Sequence, residues 1–597
     1  MNETEAPSRE AAAALHRAGD LEGAVRLYRE FLKQAPADAG GWANLGIALR
    51  QLARLAEAET ACRRALALDP NHANGGNNLG IVLAAQGRHA EAVDVYRAVL
   101  ARHPRFHEAW CNLGLSLAAM DQIGEAKTSF GKALALAPGY TEALVQFVYH
   151  KLLCCDWEGL DDAIGRLSVV IRADAGAVNP FALLAICRDP EEMLRAARHY
   201  AARIERTVKA ATQPCPRTRE GGRDKLRLGY VSGDFHQHAT AVLTAELFEK
   251  HDRRHFEVFG YSFGPDTGDP MRKRVIRAFD RFVDISQQSA QQAAKTIRED
   301  GIDILIDLKG YTRGARTAIF ALRPAPIQVN YLGYPGTMGA RFIDYAIADR
   351  VVVPPGAESL YSEKIVRLPG SYQPNDSTRP VGIDAPSRAS LGLPEQGFVF
   401  CCFNQTYKIT PDMFAVWMQL LREVPESVLW LVAFNRVAPV RLAALANAAG
   451  VDAKRLVFAP KLPTTEHLAR LRQADLFLDT HPCGAHTTAS DALWAGVPVL
   501  TLAGEVLQSR VAASLLMALG LGELVTATLD GYYALARALA GAPDRVAALK
   551  AHLAAARRTS ELFDGAAIAR KLEAAYAAMW KRHEAGLPPE HIDLAGS

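Results

Sequence analysis

The sequence predicts an all-α repeat array followed by an α/β region of two lobes, each built on a parallel sheet. Several residue types recur every 34 positions over the first 140 residues, and apolar strand-like runs alternate with helical segments from about residue 223. A fixed period of this length is typical of stacked helical repeats, and the alternation is typical of parallel sheets. We expect repeats over 5–140, a helical cap and linker over 141–222, a first lobe over 223–385 and a second over 386–585.

Composition limits the class of protein. The 597 residues are 49% hydrophobic, and 68 basic against 65 acidic residues leave a net charge of +3. This small imbalance gives no support for nucleic-acid or membrane binding. Nine scattered cysteines without a CxxC pair indicate a reducing compartment. The polar first ten residues contain no signal-peptide pattern, and no apolar run approaches the roughly 20 residues of a membrane span, so we expect a cytoplasmic protein.

The repeat has the tetratricopeptide period, with two helices in each copy. Small residues recur where paired helices must approach closely, large residues recur opposite them, and proline ends the second helix. The positions in phase are Pro36, Pro70, Pro104 and Pro138; Gly46, Gly80 and Gly114; Ala24, Ala58, Ala92 and Ala126; and Tyr28, Cys62, Tyr96 and Phe130. Such arrays stack into a superhelix with a concave groove.

Three asparagines, Asn44, Asn78 and Asn112, also recur at this period, each just before a Leu-Gly pair. An amide can pair with both the C=O and the N–H of an extended peptide, so this ladder predicts a groove that holds a peptide acceptor by its backbone. The alternative is a polar residue that the repeat merely tolerates. Beyond the repeats, Leu144 to Val148 predicts one more helix, and Gln213–Pro216 with Gly221-Gly222 predicts a linker.

In the first lobe, strands are predicted at 225–232, 256–263, 302–308 and 327–332. Ligands of parallel sheets bind beyond the carboxyl ends of the strands, and the unusual residues cluster there. They are Asp234, His238, Thr240, Lys309 and Gly333–Thr337. His238 is a candidate general base or sugar-binding donor, and a loop histidine without a role is the alternative.

In the second lobe, a strand-like run at 474–479 leads through Cys483 to His486-Thr487-Thr488, where a helix should begin, and Gly496 and Pro498 end that helix. An open helix N-terminus binds phosphate through free N–H groups and the helix dipole. We place Asp491 in the first turn, where its carboxylate would hold a ribose. The alternative is an ordinary turn in which Thr487 or Thr488 is only an N-cap.

A second positive helix end is predicted after the strand at 398–403, where Thr410 is a plausible N-cap and Pro411 a first helical residue. Lys408 stands beside it with no acidic neighbour, which suits a diphosphate, although a surface lysine without a role is the alternative. His467 follows a strand at a place suited to a nucleobase. Two such lobes are typical of nucleotide-sugar transferases of the GT-B type, and without an Asp-x-Asp pair we expect no metal and no other cofactor.

The chain resembles bacterial members of the O-linked N-acetylglucosamine transferase family, which also includes SPINDLY-like proteins. The matching stretches are Gly229–Ser232 with Asp234-Phe235, Gly310–Thr312 with Gly314–Arg316, Ala321–Gln328, Leu332–Thr337, Phe403–Gln405 with Tyr407-Lys408, His486–Thr488 through Ala495-Gly496, and Ser509–Ser514. The resemblance implies inverting transfer of N-acetylglucosamine from UDP-N-acetylglucosamine to serine or threonine hydroxyls of proteins.

The resemblance also implies roles for the matching residues. Gln405 and Lys408 would contact the nucleotide, His486, Thr487 and Thr488 the phosphates, Asp491 the ribose and His467 the base. His238, Thr240, Leu332, Gly333, Tyr407 and Cys483 would surround the sugar. Asp234 is a candidate for proton transfer, and His199 a looser candidate for another active-site histidine.

Three residues depart from the family pattern: Thr464 replaces a base-contacting lysine of the animal enzymes, Lys309 an asparagine and Ala239 a proline. The donor is therefore open, and the alternatives are an O-fucosyltransferase using GDP-fucose, a catalytically silent repeat scaffold, or transfer to a small molecule or surface glycan. The expected partners are a nucleotide sugar and a protein acceptor, with a homodimer as one candidate assembly.

Overall fold

The computed structural model describes residues 7–208, 224–382 and 385–594, which form two compact units, Met1–Cys154 and Cys155–Ser597. The predicted linker at 213–222 lies outside the described residues, as do residues 383–384 beside the expected boundary between the lobes. No helix in the described ranges is both long and apolar enough to cross a bilayer.

The first unit consists of antiparallel helix pairs, as the 34-residue period predicts. Its helices are α1 Arg9–Arg17, α2 Leu21–Gln34, α3 Ala39–Gln51, α4 Leu55–Leu68, α5 Ala73–Ala85, α6 His89–Arg102, α7 His107–Ala119, α8 Ile123–Leu136 and α9 Thr141–Leu153. The recurrent glycines lie against the recurrent large residues: a Cβ added to Gly80 would lie 2.5 Å from the Tyr96 ring, and one added to Gly114 would lie 2.6 Å from Phe130. Close helix approach therefore explains both sets of positions. The helix predicted around Leu144 is α9, and it belongs to this unit.

A helical cap opens the second unit, with α10 Leu160–Arg172, a short 3-10 helix Pro180–Leu183 and α11 Pro190–Thr207. α11 packs on the first lobe, where the Tyr200 ring meets the edge of Tyr311 at 4.9 Å. The 3-10 helix packs on the second lobe, where the Phe181 ring lies 6.4 Å from Tyr407. The cap therefore contacts both lobes.

The first lobe is an eight-stranded parallel sheet of order β14-β7-β6-β5-β4-β1-β2-β3. Its strands are β1 Leu226–Ser232, β2 Phe256–Ser262, β3 Arg281–Asp284, β4 Ile304–Asp307, β5 Ile327–Asn330, β6 Tyr345–Asp349, β7 Lys364–Leu368 and, from the chain's end, β14 Ile592–Asp593. Its helices are α12 Ala239–Lys250, α13 Pro270–Ala278, α14 Ala290–Glu299 and α15 Ala318–Ala321.

The second lobe is a six-stranded parallel sheet of order β10-β9-β8-β11-β12-β13. Its strands are β8 Val399–Cys402, β9 Val428–Val432, β10 Leu456–Ala459, β11 Leu476–Leu478, β12 Val499–Leu502 and β13 Val525–Thr526. Its helices are α16 Pro411–Glu423, α17 Ala438–Ala448, α18 Thr464–Leu471, α19 Thr487–Ala495, α20 Val511–Ala518, α21 Leu529–Ala540 and α22 Pro543–Thr559. The predicted fold class, helical repeats followed by two parallel-sheet lobes, is confirmed.

The last helix, α23 Gly565–Glu584, returns to the first lobe. Its Tyr576 hydroxyl lies 3.1 Å from the Tyr230 hydroxyl, and Glu573 lies 2.9 Å from the buried His251. The helix therefore packs back from the second lobe onto the first, and the pairing of β14 with β7 continues the same return.

Candidate active site

The loop after β11 is held by a buried carboxylate. Asp479 is fully buried, and its Oδ1 accepts hydrogen bonds from the backbone N–H groups of Thr480 at 2.7 Å and Ala485 at 2.6 Å. Oδ2 accepts from the Thr501 hydroxyl at 2.7 Å. Burial raises the pKa of Asp479, and these hydrogen bonds oppose that shift. The Asp479 side chain therefore fixes the conformation of the loop between β11 and the next helix.

Helix α19 begins at Thr487 as predicted, with His486 at the N-cap and no side-chain cap. The alternative in which Thr487 or Thr488 is an N-cap is therefore wrong. The Thr488 hydroxyl instead donates to Asn404 Oδ1 at 2.5 Å. The N-terminus of α19 therefore keeps backbone N–H groups that no side chain caps, which is the arrangement that binds anions.

The imidazole of His486 is partly buried, and desolvation together with the nearby Lys408 ammonium lowers its pKa to about 3. Its Nε2 lies 3.1 Å from the Gln508 carbonyl oxygen. A carbonyl only accepts, so Nε2 carries the proton and the neutral ring leaves Nδ1 as an acceptor. This tautomer offers a substrate an acceptor nitrogen, not a cation.

Lys408 follows β8 and reaches the loop after β11. It ends the turn Thr406–Lys408 after β8, and its Nζ donates to the Gly484 carbonyl at 2.6 Å. Thr410 is the N-cap of α16 and Pro411 its first residue, as predicted. The thiol of Cys483 is buried in the same loop, and burial raises its pKa. An ammonium and an open helix end thus converge at 483–488.

His467 lies on α18, where the Phe403 ring is 5.4 Å away and Arg470 Nη2 lies 3.2 Å from its Nδ1. Burial lowers the pKa of His467 to about 4, so the ring is neutral at physiological pH and presents a flat apolar face. At the start of the same helix, the Thr464 hydroxyl accepts from Gln237 Nε2 of the first lobe at 3.1 Å. The two lobes therefore touch beside this ring.

The placement of Asp491 is corrected by the structure. The first turn of α19 contains no acidic residue, because Asp491 lies one turn further on. Its Oδ1 is paired with Nη1 of the buried Arg379 at 2.5 Å, while Arg379 Nη2 has no hydrogen-bond partner in the described part of the chain. Gln373, from the same crossover between the lobes, donates to the Ser490 hydroxyl at 2.7 Å. The crossover clamps α19, and the ribose role of Asp491 stays a prediction.

The first lobe contributes the ends of β1 and β5. His238 is the N-cap of α12, and its Nδ1 accepts from the Thr240 N–H at 3.2 Å. Leu332 adopts a positive φ of 68°, and Gly333 passes so close to the Leu308 backbone that a Cβ would overlap the carbonyl. Leu332 and Gly333 thus lie in a tight loop that packs on the end of β4, and their role at the sugar stays a prediction.

Three further predicted residues lie at the margin. His199 on α11 pairs through Nε2 with Asp174 Oδ1 at 3.1 Å. Gln405 is exposed, and Tyr407 lies beneath the cap. Their roles stay predictions.

In the repeat unit, two of the three asparagine amides already have internal partners, and the third is buried. Asn112 Nδ2 donates to Asn77 of the preceding repeat at 2.9 Å, Asn44 hydrogen-bonds with the Tyr28 hydroxyl, and Asn78 is buried. The peptide-binding role of the three residues stays a prediction.

Sequence reasoning missed Asp479, Asn404, Gln373 and Arg379. Asn404 is buried and joins the two ends of the loop from Asp479 to Thr488: Nδ2 donates to Thr480 Oγ1 at 2.8 Å and Oδ1 accepts from Thr488. A polar residue at the end of each buried strand is the one signal that could have indicated Asn404 and Asp479.

Two facing parallel sheets with a basic, uncapped helix end at the cleft define a two-lobed glycosyltransferase fold. Residues 154–379 and 375–572 match the model of Glycosyl transferase family 41, and residues 39–72, 73–116 and 107–140 match tetratricopeptide repeat models. The chain therefore belongs to glycosyl transferase family 41.

Relatives and a solved structure agree with this assignment. The chain is 39% identical over 464 residues to the probable UDP-N-acetylglucosamine–peptide N-acetylglucosaminyltransferase SEC of Arabidopsis thaliana, covering 74% of this chain and 48% of SEC. It is 33% identical over 480 residues to the Caenorhabditis elegans enzyme of that activity, covering 62% and 42%. A mutant of the Thermobaculum terrenum O-GlcNAc transferase aligns with a TM-score of 0.68 at 29% identity, covering 92% of this chain and 98% of that one. The chain spans less than half the length of these two curated relatives.

Proposed function

We propose that this chain transfers N-acetylglucosamine from UDP-N-acetylglucosamine to serine or threonine hydroxyls of proteins, with inversion and without a metal ion. The observation that carries the proposal is the Lys408 ammonium held 2.6 Å from the Gly484 carbonyl, beside the uncapped N-terminus of α19. The printed names of the relatives support the donor and the acceptor class.

In the proposed reaction the acceptor hydroxyl oxygen attacks the anomeric carbon, the bond from that carbon to the diphosphate oxygen breaks, and the hydroxyl proton passes to the departing diphosphate. The charge that develops on the leaving diphosphate is met by Lys408, the α19 N–H groups and the Thr487 hydroxyl. Positive groups fixed before the reaction stabilise such a charge without reorganisation, which supports a metal-free mechanism.

The state of the cleft carboxylates supports inversion. A retaining double displacement needs a free carboxylate nucleophile. Asp234 is ion-paired with Lys309 at 2.6 Å, and Asp491 with Arg379 at 2.5 Å. A single displacement by the acceptor hydroxyl needs neither of them. The tetratricopeptide repeats support a protein acceptor, and we place its backbone along the asparagine ladder; the cytoplasmic location and the homodimer stay predictions.

Calorimetric titration tests the donor site. UDP, UDP-N-acetylglucosamine, GDP and GDP-fucose are titrated into the full chain with and without EDTA, and into Lys408→Ala and the exposed control Lys454→Ala. A charge-assisted hydrogen bond contributes about 1.5–3 kcal/mol, so Lys408→Ala should weaken UDP binding by about 10- to 150-fold while the control changes nothing.

Binding of UDP that survives EDTA, followed by transfer of sugar to protein, supports the proposal. A preference for GDP would move it to the fucosyl alternative, and failure of all four nucleotides to bind would favour a silent scaffold.

A further inference from the structure

A buried cation lies at the end of β4, beside the two first-lobe residues predicted to act in catalysis. Lys309 Nζ lies 2.6 Å from Asp234 Oδ1, and the two side chains are only 10% and 8% exposed. The other oxygen of this carboxylate, Oδ2, lies 3.6 Å from His238 Nδ1. The Asp234 carboxylate thus lies between the Lys309 ammonium and the His238 imidazole, and it is closer to the ammonium.

The imidazole of His238 already uses its Nδ1. This nitrogen accepts the Thr240 N–H at 3.2 Å and so caps α12. A nitrogen that accepts carries no proton, so the neutral ring keeps its proton on Nε2. Adding a proton to Nδ1 would break the cap and turn an N–H toward Asp234.

Three positive influences act against that protonation. The N-terminus of α12 disfavours a cation. Lys309 lies across the Asp234 carboxylate, and the ring of His236 lies 5.8 Å from that of His238. The side chain of His238 is 43% exposed, and partial desolvation of its ring lowers its pKa; Asp234 raises that pKa, and Lys309 and His236 lower it. Without Lys309, the Asp234 carboxylate would act on the ring uncompensated.

We propose that Lys309 is a positioning residue that neutralises Asp234 and thereby keeps His238 uncharged, with its proton on Nε2 as a hydrogen-bond donor to the nucleotide sugar. The ligand part rests on the proposed function; the effect of Lys309 on His238 does not. The carboxylate of Asp234 then serves to place the ammonium, and neither Asp234 nor His238 Nδ1 is free to accept the acceptor's proton.

The experiment measures the pKa of His238 in the absence of substrate. Carbethoxylation by diethyl pyrocarbonate requires a neutral imidazole, and mass spectrometry of the peptide that contains His238 gives its rate against pH. The variants are Lys309→Asn, Lys309→Met, Lys309→Arg, Asp234→Asn and the double variant Lys309→Asn/Asp234→Asn. The exposed Lys295→Asn is the control, and circular dichroism identifies variants that fold.

Loss of the ammonium should raise the pKa of His238, so the pH at which carbethoxylation reaches half its maximal rate should move upward. Asp234→Asn should lower it, the double variant should return toward the wild type, and Lys309→Arg should behave as the wild type. Lys309→Met keeps an apolar stem in the buried site and serves where Lys309→Asn does not fold.

A pKa of His238 unchanged in both neutral variants would overturn the proposal, as would equal shifts in Lys295→Asn. In an active enzyme, the acid limb of kcat/KM should move to higher pH in the neutral variants. If the wild type proves inactive toward UDP-N-acetylglucosamine while the titration moves as expected, the proposed function fails and the role of Lys309 stands.

Discussion

Asp307 makes the pH dependence of stability testable at a single residue. It ends β4, is 2% exposed, and its Oδ1 accepts the N–H groups of Lys309 at 2.8 Å and Gly310 at 2.9 Å. Burial raises its pKa from 3.8 to about 6 against the opposing effect of these bonds. An asparagine can accept the same two hydrogen bonds through its oxygen but cannot ionise, so Asp307→Asn removes the titration and keeps the turn.

The sign follows from linkage. An acid whose pKa is higher in the folded state binds its proton more tightly there, so its contribution to stability is complete below about pH 4 and is lost as pH rises through 6. A shift of about two units corresponds to about 3 kcal/mol, of which about 2 kcal/mol is lost between pH 4 and pH 8. The free energy of unfolding of Asp307→Asn should therefore gain about 2 kcal/mol relative to the wild type over that range.

Urea unfolding followed by circular dichroism at several pH values measures this difference, because only the change with pH is needed and constant effects of the substitution cancel. Asp544→Asn, at an exposed position on α22, is the control and should give a flat difference. A flat difference for Asp307→Asn as well would refute the reasoning, because it would mean that the buried carboxyl ionises with an ordinary pKa.

Three further outcomes are expected. Gly114→Ala should destabilise the repeat unit by about 1–3 kcal/mol in thermal unfolding, since its Cβ would lie 2.6 Å from Phe130, whereas Gly139→Ala, where no atom lies within 4 Å, should not. Arg379→Met should weaken UDP binding about tenfold in calorimetry, because Asp491 would lose the partner that fixes it; unchanged affinity would separate Asp491 from the ribose. Alanine at all three repeat asparagines should weaken protein acceptors and leave UDP binding intact, and equal loss of both would contradict the ladder.

The elements that sequence reasoning located depend on local chemistry. The Thr410-Pro411 helix start and the Gly496 helix end need only neighbouring residues, the 34-residue period needs only recurrence along the chain, and the structure has all three. Strands β6 and β7 were not predicted, although each is longer than the predicted β4, and β7 buries a charged residue, Arg367. Its guanidinium donates to the carbonyls of Val353 and Pro354, partners that no periodicity indicates.

The site was predicted less completely, because much of its geometry comes from residues far apart in the chain. Asp491 was placed correctly on its helix but not in its turn, and its pairing with Arg379 joins residues 112 apart. Asp479 draws its partners from four positions between Asn404 and Thr501. The sequence indicates polar residues at strand ends, but tertiary packing determines which of them form hydrogen bonds and ion pairs with one another.

In each lobe, a buried aspartate fixes a loop at the carboxyl end of the sheet. Asp307 ends β4 and binds two N–H groups of the turn that carries Lys309, and Asp479 follows β11 and binds two N–H groups of the loop that leads to His486. Each carboxylate is almost fully buried, so each lobe accepts the cost of a desolvated charge to fix a loop at the carboxyl end of its sheet. The cations that these loops hold, Lys309 and Lys408, then have set positions before any substrate arrives. Preorganisation of charge links the fold to the proposed transfer at Lys408, because a diphosphate leaves most readily toward groups that need not move.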